Sequence, residues 1–246
     1  MIRITLVVLF LLLFFILSLI LLPFEWLIGK FDMSFKERSS LRIVRRAFRI
    51  VLFISGVKTT VIGLENIPED EPVLFVGNHN SFFDIVIAYT LMKKPTGFVA
   101  KKELNAFLFV RRWMRNLYCL FLDRKNIKEG LKTILLGIDY IKKGVSIVIF
   151  PEGTRNKTHD GILPFHSGSF KLAEKSGCKI VPMVQNNTGA VFEDQFPRIK
   201  STHTVIEFGK PIDLNELSKE ERKNIAQYTH DILSEIYEKN KSLVCK

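Results

Sequence analysis

Between Ile4 and Phe24 the chain carries no charged side chain, only ITLVVLFLLLFFILSLILLPF. As an α-helix rising about 1.5 Å per residue, this run reaches about 30 Å, enough to span the hydrocarbon core of a bilayer. A cleaved secretory signal would have a shorter apolar core ending in small residues. Here the run passes into bulky PFEWLIGKF with no A-x-A-like site, so it reads as a retained membrane anchor. Downstream lie Lys30, Lys36, Arg38, Arg42, Arg45, Arg46 and Arg49, against only Arg3 and the amino terminus upstream. The positive-inside rule then places the bulk of the chain on the cytoplasmic face. Cys119, Cys178 and Cys245 agree with that compartment: they are odd in number, widely spaced and form no C-x-x-C, so neither a disulfide framework nor a zinc site is expected.

The next segment, LRIVRRAFRIVLFI from Leu41 to Ile54, collects Arg42, Arg45, Arg46 and Arg49 in an arc roughly 100° wide on a helical wheel. Such a helix is expected to lie in the headgroup plane with its arginines toward anionic lipid, each worth on the order of 1 kcal/mol. The same pattern also fits an amphipathic helix packed on a protein core. A formal net charge of +11 calls for an anionic partner. With an anchor in place, that partner is an anionic membrane surface or a phosphorylated substrate rather than nucleic acid. Residues 1–56 thus form an anchor and interfacial helix, and residues 57–246 a folded domain.

After Gly56, short β-rich runs alternate with helical ones, the signature of an α/β domain with a mixed, largely parallel sheet flanked by helices. Candidate strands are TTVIG, VLFVG, TGFVAK, LYCLFLD, SIVIF, KIVPMV and HTVIEFG. Helices are expected over Ile85 to Lys93 and Asn105 to Arg115, along a core stripe from Ile127 through Leu131, Ile134, Leu135 and Ile138 to Ile141, and from a Ser218–Glu221 capping box onward.

Two stretches carry chemistry. In VGNHNSFFD, His79 stands five residues ahead of Asp84. Positions five apart on one helix point about 140° away from each other, so a helix alone cannot pair them. A strand ending near Gly77, a tight turn, and a helix starting at Ser81 would. Ser81 and Asp84 also have the S-x-x-D form of a capping box, so a plain helix cap beside a loop histidine fits the same letters. The second stretch is IVIFPEGTRN. Pro151 cannot continue a central ladder and Gly153 turns freely, so Glu152 and Arg155 are presented from a constrained loop at a strand end, where open α/β sheets place their ligands. A turn closed by an ion pair is the alternative. No nucleotide-binding glycine motif occurs.

Taken in order, NHNSFFD, AKKEL, FLDR, FPEGTRN with LPFHSG, and IVPMV resemble the glycerophospholipid acyltransferase family, in particular its 1-acylglycerol-3-phosphate (lysophosphatidic acid) acyltransferases. The likeness covers roughly residues 57–210. It implies transfer of a fatty acyl group from a thioester, acyl-CoA or acyl carrier protein, to the sn-2 hydroxyl of lysophosphatidic acid, giving phosphatidic acid in phospholipid synthesis, with no further cofactor. It also implies a catalytic pair, His79 and Asp84, and substrate-binding residues Glu152, Gly153, Thr154, Arg155, Arg124 and Lys101. Glu152 would hold the acceptor hydroxyl. Two positions depart from the family pattern: Tyr118 stands where it commonly has glycine, and His166 where it usually has lysine.

The residue types suit that chemistry. An alcohol is too weakly acidic to attack a thioester at neutral pH unless a positioned base takes its proton. An imidazole with an ordinary pKa near 6.5 is largely neutral at pH 7, and a carboxylate on its other nitrogen fixes the tautomer. The pair equals the last two members of a serine triad with the acceptor hydroxyl in the serine's place, so Ser81 is not nominated as a nucleophile. Arg155 offers a fork that matches phosphate oxygens. His159 and His203 are assigned to loop or surface, and no cluster has metal-ligand spacing. Glycerol-3-phosphate or another lysophospholipid as acceptor, thioester hydrolysis by the same pair, and a non-catalytic lipid-binding protein are the competing readings.

Overall fold

A computed structural model describes residues 1–158 and 160–244; His159 and Cys245 lie outside the described residues. All seven β-rich runs form strands: β1 Lys58–Ile62, β2 Leu74–Gly77, β3 Thr96–Lys101, β4 Leu120–Leu122, β5 Ser146–Ile149, β6 Ile180–Asn186 and β7 His203–Phe208. They make one sheet in the order β1-β7-β6-β2-β5-β3-β4, with every neighbouring pair parallel except β6–β7. Central β2 is buried throughout, as expected for a parallel strand covered on both faces, and its side chains alternate between two cores. Phe75 joins one core with Phe98, Val148 and Val181; Leu74 and Val76 join the other with Ile147, Ile149 and Ile180.

The first core is roofed by α1 (Ile2–Phe31), α2 (Met33–Ser55), α3 (Phe83–Leu91) and α4 (Leu108–Asn116). The second is covered by α5 (Ile127–Lys142), α6 (Lys171–Ser176) and α8 (Ile225–Val244), while the short α7 (Lys219–Lys223) opens on the expected Ser218–Glu221 capping box. Some boundaries differ from the sequence reading. Lys102–Ala106 is a 3-10 turn, so α4 starts three residues late, and a break at Asn224 separates α7 from α8. On α5 the expected core stripe divides. Ile138 and Ile141 are buried and Ile134 packs partly against the same core, whereas Ile127, Leu131 and Leu135 face outward at 89%, 58% and 56% exposure.

Among the described residues, α1 is the one helix long and apolar enough to cross a membrane. It turns at Asp32, whose carboxylate accepts from Phe35 N at 2.8 Å, and α2 folds back against it. A polar seam fixes their register. Glu25, 2% exposed, accepts from Ser39 Oγ and Ser40 Oγ, both at 2.6 Å, and Ser18 Oγ accepts from Trp113 Nε1 of α4 at 2.9 Å. The arginine arc of α2 is present, with Arg42, Arg46 and Arg49 exposed and Arg45 donating to Thr90 O at 3.1 Å. Its apolar side is not free for lipid, however: Leu41, Val44, Ala47 and Val51 are buried against the protein. Periodicity marks an apolar face without naming what covers it.

Candidate active site

The turn after β2 brings His79 and Asp84 together. Asn78, 1% exposed, pins it to β6 by two bonds of 2.8 Å, from Nδ2 to Gln185 O and from Gln185 N to Oδ1. The chain reverses at once, and Asp84 Oδ2 accepts from Asn80 N at 2.7 Å, from Ser81 N at 2.8 Å and from His79 Nδ1 at 2.8 Å. Oδ1 accepts from the hydroxyl of Thr188, in the segment after β6. An ionised carboxylate only accepts, so Nδ1 carries the hydrogen and Nε2 is left as the basic nitrogen. The imidazole lies flat on Phe150, 4.4 Å between ring centres, and its side chain is 18% exposed beside a fully buried aspartate. Helix α3 starts at Phe83 rather than Ser81, and only half of the capping box forms: Asp84 Oδ2 accepts from Ser81 N, while Ser81 Oγ accepts from Phe83 N at 2.9 Å instead of from Asp84 N. Asp84 therefore serves the histidine and the turn together.

The FPEGTRN loop closes over that turn from β5. Asn156 N donates to His79 O at 2.7 Å. Glu152 does not pair with Arg155, and each of its carboxylate oxygens already meets a backbone donor. It is 4% exposed, accepts from His79 N at 2.6 Å and Leu163 N at 3.0 Å, and is not among the residues lining the adjacent cavity. Burial pushes its carboxyl up to about 7, opposed by the two backbone donors and reinforced by the charge of Asp84. Glu152 thus holds the backbone on which His79 is mounted. Gly153 has φ +71, and a Cβ there would meet the His166 ring at 3.1 Å.

His79 opens into a cavity of about 940 Å³. Its deep wall is apolar and drawn from Phe14 and Phe15 of α1, Val44 and Phe48 of α2, and Trp113 of α4. Lys101, Arg124, Thr154, Arg155, Lys157 and His166 line it too, so the cations expected in the site border the same space as His79. Arg155 is held in place: Nη1 donates to Glu193 Oε1 at 2.9 Å, and its guanidinium carbon sits 3.9 Å over the Phe82 ring. Tyr118, where the resembling family has glycine, takes φ +60, a left-handed conformation that costs a side chain strain. Its hydroxyl donates to Glu37 of α2 and its ring meets Tyr140 edge-on at 5.0 Å. His203 is exposed at the start of β7, its Nε2 2.8 Å from Thr60 Oγ1. Asn78, Asn156, Thr188 and Glu193 were not singled out in the sequence. The first two fall inside motifs already noticed, whereas the last two lie where nothing in the local pattern marks them.

An imidazole paired with a carboxylate on a short loop beside a strand end, a basic rim and an apolar chamber make up a candidate site for chemistry on a lipid. The family model described as Acyltransferase matches residues 58–186. The chain belongs to the acyltransferase family. It is similar to the 1-acyl-sn-glycerol-3-phosphate acyltransferase of Borreliella burgdorferi, with 32% identity over 194 residues, 79% of this chain and 77% of the relative. The protein of the same name from Haemophilus influenzae is 30% identical over 206 residues, 81% of this chain and 82% of the relative. Among solved structures, the 1-acyl-sn-glycerophosphate (LPA) acyltransferase PlsC of Thermotoga maritima has the same fold, with a TM-score of 0.78 at 23% identity over 97% of this chain and 98% of that one. The resemblance read from the motifs is thereby borne out.

Proposed function

We propose that this protein transfers a fatty acyl group from a thioester to the sn-2 hydroxyl of 1-acylglycerol-3-phosphate at a membrane surface, producing phosphatidic acid. The observation that carries this reading is the union, in one cavity, of a free imidazole nitrogen, a basic rim and an apolar chamber. Nε2 of His79 takes the hydroxyl proton as the oxygen attacks the thioester carbonyl, and Asp84 stabilises the imidazolium that forms. Collapse of the tetrahedral intermediate breaks the carbon–sulfur bond, and the imidazolium returns its proton to the departing thiolate. Arg155, with Arg124 and Lys101 beside it, takes the phosphate; Thr154 and Gly153 shape the rim; the chamber takes an acyl chain. The relatives' names support lysophosphatidic acid as acceptor, and either acyl-CoA or acyl carrier protein thioester serves as the donor to be tried. The apolar α1 and the exposed arginines of α2 favour a cytoplasmic-face, anionic-membrane setting.

The test is an acyl-transfer assay on purified membranes with both donors, against lysophosphatidic acid and glycerol-3-phosphate. Lysophosphatidic acid is the acceptor expected to be used. His79→Ala should lower kcat by at least about 100-fold while the protein stays folded, since general-base catalysis is worth roughly 10²–10⁴-fold. Acceptor-independent release of free fatty acid would instead indicate a hydrolase. Full transfer by His79→Ala would remove the base from its role.

A further inference from the structure

Glu193 lies in the segment following β6, beyond the last residue of the family match. Its carboxylate gathers donors from two separate loops. Oε2 accepts from Ser81 Oγ at 2.6 Å, and Oε1 accepts from Phe82 N at 2.8 Å and from Arg155 Nη1 at 2.9 Å. Ser81 and Phe82 lead from His79 into α3, which carries Asp84; Arg155 ends the FPEGTR loop. One side chain, about four-fifths buried, therefore couples the proton-transfer pair to the arginine at the cavity rim. Thr188, five residues earlier on the same segment, secures Asp84 itself.

We infer that Glu193 is a positioning residue for the phosphorylated acceptor, an inference that rests on the function proposed above. A guanidinium has five N–H groups, so a bond to Glu193 through Nη1 leaves the Nε–Nη2 edge as a two-toothed phosphate donor. Phe82 below the guanidinium and Glu193 at its side hold that plane at a set distance from His79. The acceptor's phosphate and hydroxyl belong to one small molecule, so both ends must be met at once, and a fork already oriented spares the cost of ordering it on binding. Glu193 does not act as a rival anion that lets go when phosphate arrives. Ser81 Oγ and Phe82 N keep it in place and share its charge.

The experiment compares the wild type with Glu193→Ala, Glu193→Gln and Glu193→Ala in an Arg155→Ala background. Initial rates are measured over a range of lysophosphatidic acid, of acyl thioester, and of monoacylglycerol, which has the acyl chain and hydroxyl without the phosphate. Glu193→Ala should raise KM for lysophosphatidic acid about tenfold or more, the scale of a charge-assisted hydrogen bond, while donor KM and monoacylglycerol acylation change by less than about twofold. Glu193→Gln, which keeps an amide oxygen for Phe82 N, should show a smaller rise on the same acceptor alone. Without Arg155, removing Glu193 should cost nothing more. Equal losses on both acceptors would make Glu193 a structural brace, and an unchanged or lowered KM for lysophosphatidic acid would make it a competitor; either result overturns the inference while leaving the acceptor assignment standing. A wild type that does not acylate lysophosphatidic acid overturns both.

Discussion

At the scale of single residues, Glu152 is under two opposed demands. Its oxygens accept from His79 N and Leu163 N, which favours the carboxylate, yet removal from water favours the acid and pushes it up to about 7. In the unfolded chain a glutamate ionises near 4.5. From there to about pH 7 the folded state holds a proton that the unfolded state has lost, so the contribution of this group to stability is most favourable below 4.5, falls as pH rises toward 7 and then levels off. The full effect is of the order of 3 kcal/mol. Glu152→Gln keeps an oxygen for His79 N, sets an amide against Leu163 N and cannot titrate. Melting temperature measured from pH 4.5 to 8 should therefore decline more steeply for the wild type than for this variant. Parallel curves would mean that the carboxylate is ionised throughout.

Elements place these residues, and the edge of the sheet shows how closely. A Cβ on Gly97 of β3 would lie 2.2 Å from Tyr118 O, at a residue already held in the left-handed region. Gly97→Ala must move backbone rather than a flexible side-chain end, so urea denaturation in detergent should show a loss of about 2 kcal/mol or more. A loss under about 0.5 kcal/mol would show that the β3–β4 edge yields easily. The strands themselves were legible in the sequence because β-branched and aromatic runs separated by glycine, proline and charge admit few other readings. The turn between His79 and Asp84 was legible only in part: the angular argument excludes pairing on a single helix, but a plain helix cap beside a loop histidine fitted the same letters. What sequence could not supply was partnership across distance. The α2 stripe reads the same against lipid or against α3, the outer face of α5 reads the same as its core face, and Thr188 and Glu193 reach Asp84 and Ser81 across 104 and 112 residues.

Considered whole, the molecule builds its apolar helix into its chamber. Leu11, Phe14 and Phe15 of α1 line the cavity, and Phe14 lies against Trp113 of α4 with 5.7 Å between ring centres. Deleting residues 1–29 would strip that wall while leaving Arg42, Arg46 and Arg49 exposed on α2. The truncated protein should keep some binding to anionic vesicles that weakens with salt, because charge attraction at the surface is screened over about 10 Å at 0.1 M. Replacing those three arginines by glutamine should release it. Transfer of long acyl chains should fall even where binding persists; a truncated form that sediments with vesicles and keeps its full rate would show that α1 is no part of the chamber's working wall. The polar seam of Ser18 and Glu25 carries a consequence for descent as well. A plain greasy tether can be exchanged for any other, but this helix is written on two sides under different rules. Substitutions accumulated over generations should fall freely on the side bearing Leu13, Ile16 and Ile20, and sparsely on the side bearing Phe14, Ser18 and Glu25, so that grafting a foreign anchor of equal greasiness restores attachment without restoring the enzyme.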